Sequence, residues 1–230
     1  MRKRQIFILG ILVSLSLAPL LMAEEVIHKT FDLEPKLAFE KKDVGGTKEQ
    51  HRHREQLTGI LALHNVTNQS FVLEVRGTIH HIGHYCPLVL GFRHAESGQA
   101  TTIRLYRGDH MLGAKVEYRQ NADAKPFAQE VDARGLGNGR VTFRFQYNQQ
   151  AQRLDINLFG SEGEAIAHFH FDDVTKMALD AFIIQTLRLQ DVGTVWYDPE
   201  ARELFVQSVR EDTFTAAMSI DELILTFEKR

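Results

Sequence analysis

The chain has 230 residues, of which 27 are lysine or arginine and 30 are aspartate or glutamate, giving a formal net charge of −3. A chain without a basic excess is not built to bind nucleic acid, and an apolar content of 43% excludes disorder throughout. The single cysteine, Cys86, excludes an internal disulfide, so a hydrophobic core must hold the fold together.

The amino-terminal segment has the pattern of a secretory signal peptide. Residues 1–23 start with three basic residues, continue as an apolar run and end at Ala23, before two glutamates. We predict cleavage after Ala23, which leaves residues 24–230 as one secreted or periplasmic domain with 24 basic and 30 acidic residues, a net charge of −6. The alternative is an uncleaved membrane anchor, because Leu21 is not the small residue that a signal peptidase prefers there. The apolar run is short for a spanning helix, which favours cleavage.

Alternating apolar and polar residues predict a chain of short strands. Residues 26–33 and 57–64 predict early strands on either side of an exposed excursion at residues 41–56, and the N-glycosylation patterns at Asn65 and Asn68 are expected to form a turn. Residues 70–107 predict three strands, in which Leu73 and Leu90 face one side. Further strands are predicted at residues 115–119, 140–147, 153–159, 164–171, 181–189, 194–197, 204–209 and 221–228, and a helical turn is an option at 212–218. This pattern is typical of an all-β sandwich or barrel.

Three segments resemble the concanavalin A-like lectin and glucanase superfamily, which includes LamG-like domains. They are FVLEVRGT with PLVLGFRHAESGQATTIRLYR, then GRVTFRFQYNQQAQRLDINLFGSEGEAIAHFHF, and finally SIDELILTFEK. The resemblance implies a jelly roll of two antiparallel sheets. It also implies carbohydrate binding on the concave sheet or on its rim.

Arginine and tyrosine side chains on the predicted outward strand positions are candidates for glycan binding. Aromatic rings stack on pyranose rings, and a guanidinium offers forked donors to hydroxyl pairs or carboxylates. We therefore hypothesise that one curved surface binds a polysaccharide or other glycan. Because several of the candidate residues are arginines, we expect this glycan to be anionic. The alternative is a set of solvated positions with cross-strand ion pairs. The candidate residues are Glu74, Arg76, Arg93, Arg104, Tyr106 and Arg144.

Histidines and aspartates suggest two kinds of metal site, neither of which is assigned. A zinc site from His80, His84 and either His168 or His170 is conceivable, but the spacing matches no established signature. Calcium could be bound by loop carboxylates, yet the candidates are too generic to choose among. They are Asp172, Asp173, Asp191 and Asp221.

The sequence assigns no catalytic residue. The stretch from Glu130 to Asp132 begins like the paired acids of a retaining glucanase, but the second glutamate is missing. The resemblance, together with the predicted signal peptide, implies an exported, lectin-like protein without a cofactor. A glycoside hydrolase or polysaccharide lyase that uses the same face remains an alternative, as does a structural or protein-interaction module.

Overall fold

The computed structural model describes residues 22–26, 37–43, 54–84, 86–108, 112–189, 194–198, 200, 203–210 and 214–228. Every regular element within these ranges is a β-strand. In chain order the strands are β1 (Met22–Val26), β2 (Leu37–Asp43), β3 (Arg54–Thr67), β4 (Phe71–Ile82), β5 (Leu88–His94), β6 (Gln99–Arg107), β7 (Leu112–Arg119), β8 (Phe127–Asp132), β9 (Gly139–Asn148), β10 (Arg153–Phe159), β11 (Ala165–Phe171), β12 (Ala178–Leu189), β13 (Thr194–Asp198), β14 (Glu203–Arg210) and β15 (Phe214–Glu228).

The strands form two antiparallel sheets. Sheet I has the order β11, β10, β9, β4 and β15, with β1 and β14 also paired to β15 and β13 paired to β14. Sheet II has the order β2, β3, β12, β5, β6, β7 and β8. Among the described strands, a single parallel pair of residues, Arg188 with Val209, joins them, so they act as separate layers. The prediction of a two-sheet, all-β jelly-roll sandwich is confirmed.

The core lies between the two sheets and is built around three phenylalanines. Phe71 of sheet I meets Phe92 of sheet II edge to face, with ring centroids 5.5 Å apart, and Phe92 meets Phe145 of sheet I at 5.6 Å in the same geometry. None of the three is more than 1% exposed. Because edge-to-face rings interlock the layers, the residues that alternate with them must face away from the core on both sheets.

Most predicted strands agree with the structure, but the excursion, the helical turn and the turn expected at Asn65, which lies in β3, do not. The strand at residues 153–159 coincides with β10. The excursion at 41–56 is wrong at both ends, since β2 extends to Asp43 and β3 begins at Arg54. The helical turn at 212–218 is wrong because β15 begins at Phe214, and β8 was not foreseen.

The predicted signal peptide falls mostly outside the described residues. Met22 and Ala23 do lie within β1, where they pair with Glu228 and Phe227. Cleavage after Ala23 would leave Glu24 to Val26 of this strand. Within the described ranges, no helix has the length and apolarity needed to cross a membrane.

Candidate functional site

The six predicted binding residues do not share one surface, so the hypothesis of a single curved face is wrong. Alternation correctly placed all six opposite the core, but it did not reveal which sheet each strand would join. The outer face of sheet I carries Glu74, Arg76 and Arg144, whereas the outer face of sheet II carries Arg93, Arg104 and Tyr106.

On sheet I the charged residues form a closed network. Glu74 accepts hydrogen bonds from Arg76 Nη2 at 2.8 Å, from Arg144 Nε at 2.8 Å and from Arg144 Nη2 at 2.6 Å. Arg76 Nη1 also donates to Glu222 at 2.6 Å. Two positive and two negative charges therefore satisfy one another across β9, β4 and β15. The cross-strand ion pairs considered from the sequence are what the structure shows on this face.

A groove of about 570 Å³ crosses the outer face of sheet II. Its lining comes from six neighbouring strands, β2, β3, β12, β5, β6 and β7, together with Pro126. A single depression therefore crosses six of the seven strands of sheet II. The lining residues are Glu40, Thr58, Val89, Ala100, Thr102, Arg104, Glu117, Arg119, Pro126, Ile183 and Gln185.

Two arginines in the groove have their donors available. Neither Arg104 nor Arg119 forms an ion pair or a side-chain hydrogen bond with any residue that the structure describes, and both side chains are exposed. A guanidinium without a protein partner can donate to a ligand without first breaking an ion pair. Arg104 is thus the predicted residue that the structure places best for binding.

The acidic groups of the groove are already paired. Arg93 donates from both Nη atoms to the two carboxylate oxygens of Glu40, each at 2.9 Å. This hydrogen-bonded fork lowers the pKa of Glu40 below its usual range. Glu117 lies 2.8 Å from the Lys115 ammonium. Together with their partners, the lining residues carry four positive and two negative charges, so the groove is locally positive on an acidic chain.

Gly91 lets the two central strands beneath the groove approach each other closely. It lies on β5 between Val89 and Arg93, on the face opposite the core, and pairs with Thr102 of β6. A Cβ at this position would stand 1.9 Å from the carbonyl oxygen of Thr101. Only glycine therefore lets the two central strands approach so closely without a shift of the backbone.

Tyr106 does not line the groove. Its ring lies over Gly113 of β7, where an added Cβ would come within 2.5 Å of the tyrosine hydroxyl. The hydroxyl is buried and has no hydrogen-bond partner among the described residues. Tyr106 thus fills the space that glycine leaves on the neighbouring strand, and its predicted role in stacking on a sugar has no support from this position.

Sequence reasoning missed several lining residues. The sequence correctly places Glu117 and Arg119 on the side of β7 opposite the core-facing Val116. It was not recognised that they share a surface with Arg104. The short connection between residues 107 and 112 was the signal available, because antiparallel neighbours joined by a short loop share a face. Thr58 and Gln185 could not be found this way, because β3 and β12 reach the groove only by long-range pairing.

The histidines proposed for zinc are not brought together. His168 of β11 is separated from β4 by strands β10 and β9, since His168 pairs with Asn157, Asn157 with Arg144, and Arg144 with Glu74. Three strand spacings put His168 about 14 Å from β4. His80 instead contacts Ser219 at 3.0 Å and stacks on Phe205. No group of three or more histidine, cysteine or acidic side chains suited to a metal occurs among the described residues.

The calcium candidates are also dispersed. Asp172 and Asp173 follow β11, Asp221 lies in β15, and Asp191 is outside the described residues. His170 lies 3.8 Å from Asp172 and 5.9 Å, between ring centroids, from His168. A calcium site from these four aspartates therefore stays without support.

Comparison with solved structures supports the fold. No protein-family model matches the chain, and no curated protein matches it by sequence. The CBM2 module of the evolved Dit of Lactobacillus casei BL23 phage J-1 superposes with a TM-score of 0.51 at 6% identity, covering 76% of this chain and 70% of that one. The fold is an antiparallel two-sheet jelly-roll sandwich.

Two lectin structures align over more of the chain but less closely. The winged bean acidic lectin, solved with methyl-α-D-galactose, has a TM-score of 0.49 and 9% identity over 90% of this chain and 99% of that one. A legume lectin-like domain from Entamoeba histolytica has a TM-score of 0.48 and 9% identity over 88% of each chain. At such identities the function must be argued from the groove itself.

Proposed function

We propose that this chain is an exported carbohydrate-binding protein that holds an anionic glycan along the groove of sheet II. The observation that carries the proposal is the pair of arginines, Arg104 and Arg119, whose guanidinium groups have no ion-pair partner among the described residues. On an acidic chain, a locally positive groove favours a carboxylated or sulphated saccharide over a neutral one.

The remaining lining suits a saccharide chain. Thr58, Thr102 and Gln185 offer hydroxyl and amide groups for hydrogen bonds to sugar hydroxyls, and Val89 and Ile183 supply small apolar patches for the C–H faces of the rings. A groove that crosses six strands has room for several residues of a polymer. This arrangement supports a polysaccharide as the ligand.

The pairing of the acidic residues in the groove favours binding of the glycan without hydrolysis. A glycosidase needs one carboxyl with a raised pKa as its general acid. Of the two acids that line the groove, Glu40 has a lowered pKa and Glu117 is held by Lys115. With its pKa lowered, Glu40 is not prepared to donate a proton to a leaving group at neutral pH.

The experiment is a binding titration against neutral, uronate-containing and sulphated polysaccharides. We expect binding to an acidic polysaccharide that weakens as salt is added, because the contacts are ionic. Arg104→Ala and Arg119→Ala should each lower the affinity by about 10- to 100-fold, the value of a hydrogen bond to a charged group. Arg140→Ala, an exposed strand arginine on the outer face of sheet I, is the matched control.

Three results would contradict the proposal. Equal affinities of the Arg104→Ala and Arg140→Ala proteins would exclude the groove. New reducing ends or unsaturated uronates would show an enzyme instead of a binding protein. Recovery of a protein partner with no binding to any polysaccharide would favour an interaction module.

A further inference from the structure

A second pocket lies at the side of the sandwich, next to the end of the groove formed by Arg119 and Pro126. It has a volume of about 430 Å³ and forms where β8, the edge of sheet II, approaches β11, the edge of sheet I. The Gln129 side chain bridges the two edges by donating to the carbonyl oxygen of His170. We call it the edge pocket. It is lined by Tyr118, Gln120, Phe127, Gln129, His170, Phe171, Asp172 and Asp173.

An exposed aromatic ring forms one wall of the edge pocket. Phe127 is 55% exposed, which is the highest exposure of a large apolar side chain among the described residues. Its ring stacks on Tyr118 at an interplanar angle of 18°, with centroids 6.0 Å apart, and Tyr118 in turn contacts Phe171 at 5.7 Å. The inner face of Phe127 is therefore held in place by the core, while its other side remains open to a ligand.

A buried hydroxyl group beside this wall lacks a partner. Tyr118 is only 2% exposed, and its hydroxyl has no hydrogen-bond partner among the described residues. Burial raises the pKa of Tyr118 to about 12, and the nearby Gln120 side chain opposes this rise. Buried hydroxyls are nearly always hydrogen-bonded, so an unpartnered one beside a pocket can bind a polar ligand once a neighbouring side chain moves to uncover it.

The opposite wall of the edge pocket is polar and negatively charged. Asp172 and Asp173 contribute carboxylates, which accept hydrogen bonds from pairs of hydroxyl groups. His170, whose ring lies 3.8 Å from Asp172, adds a further polar group. Because two carboxylates repel an anion, this wall excludes the acidic glycan suited to the groove and favours an uncharged ligand rich in hydroxyls.

We propose that the edge pocket is a second saccharide-binding site, which takes one residue of an uncharged pyranose sugar. Phe127 stacks on the C–H face of the ring, the Tyr118 hydroxyl forms the hydrogen bond that it lacks in the protein, and Asp172 and Asp173 accept from the sugar hydroxyls. The site does not depend on the groove, because the two surfaces share no residue.

The experiment is a titration of isotope-labelled protein with glucose, galactose, mannose and their N-acetylated 2-amino derivatives, followed by amide chemical shifts. At least one sugar should shift the amides of residues 127–129 and 170–173. Phe127→Ala should weaken this binding about 5- to 10-fold, the worth of an aromatic stacking contact. Phe159→Ala, which alters a half-buried phenylalanine of β10 outside the pocket, should bind like the unmodified protein.

Tyr118→Phe separates a role in binding from one in folding. It should weaken sugar binding about 2- to 10-fold, the worth of one hydrogen bond, while the melting temperature stays equal or rises because an unpartnered buried hydroxyl is removed. The Arg104→Ala protein should retain sugar binding at the edge pocket, so a failure of the groove leaves this site untouched.

Three outcomes would overturn the second site. The first is that none of the sugars shifts the amides around Phe127. The second is that Phe127→Ala and Phe159→Ala bind equally well. The third is a dimer that forms with rising protein concentration and is lost in Phe127→Ala, because a second copy would then cover the ring.

Discussion

The ion network on the outer face of sheet I should contribute to stability and not to glycan binding, and Glu74→Gln tests this directly. Glutamine keeps the shape of the side chain but removes the charge that both Arg76 and Arg144 contact. The Glu74 side chain is 12% exposed, whereas those of Arg76 and Arg144 are 45% and 44% exposed. The acceptor is thus shielded from water more completely than its donors.

The size of the effect follows from these exposures. A hydrogen bond between charged groups contributes about 1.5–3 kcal/mol when shielded, and exposed ion pairs contribute about 0–1 kcal/mol. With two half-exposed arginines, we expect Glu74→Gln to lower the free energy of unfolding by about 2 kcal/mol. For a domain of this size that corresponds to a melting temperature lower by about 4–8 °C.

The assay is thermal and urea denaturation of Glu74→Gln, Arg144→Gln and the double variant. The double-mutant cycle should show a coupling energy of about 1 kcal/mol that shrinks in high salt. Binding of the acidic polysaccharide should be unchanged in all three proteins. A loss of binding with unchanged stability would refute the reasoning, because it would place the ligand on sheet I.

Three further predictions concern the core, the groove floor and the buried tyrosine. Phe92→Ala should lower the free energy of unfolding by about 3–5 kcal/mol in urea denaturation, because it removes the ring that interlocks the sheets; a loss below about 1 kcal/mol would contradict the sandwich. Gly91→Ala should cost about 1–3 kcal/mol in the same assay, because its Cβ meets the Thr101 carbonyl; unchanged stability would contradict that close approach. The contribution of Tyr118 to stability is complete below its ordinary pKa of 10.0 and is lost as the pH rises through about 12, since burial favours its protonated form. Tyr118→Phe should therefore flatten the fall of stability with pH in that range, and an unchanged slope would show that the hydroxyl is not buried.

The alternation within each strand was sufficient to predict which residues face the core. It was not sufficient to predict which strands pair with one another. Leu73 and Leu90 were correctly placed towards the core because a period of two is a property of each strand alone. The neighbours of β4 and β5 are set by contacts far along the chain, since β4 pairs with β9 and β15 while β5 pairs with β12. This is why Arg144 and Arg104 were wrongly assigned to one surface.

Strand β8 and the edge pocket show a second limit of the sequence. Apart from the half-buried Gln129 and Val131, the residues of β8 are exposed, so the strand has no buried stripe to reveal it. Its existence depends on hydrogen bonds to β7, where Phe127 pairs with Tyr118. An exposed aromatic residue on an edge strand is visible in the sequence only as an isolated phenylalanine, and its stacking partner becomes known only from the register.

The central claim is that the ligand lies in the groove on the outer face of sheet II, and the most direct test is amide chemical-shift mapping with an oligogalacturonate. The account predicts that the largest shifts occur in β5, β6, β7 and β12, around Arg104 and Arg119. Shifts confined to β4 and β9, around Arg76 and Arg144, would contradict it.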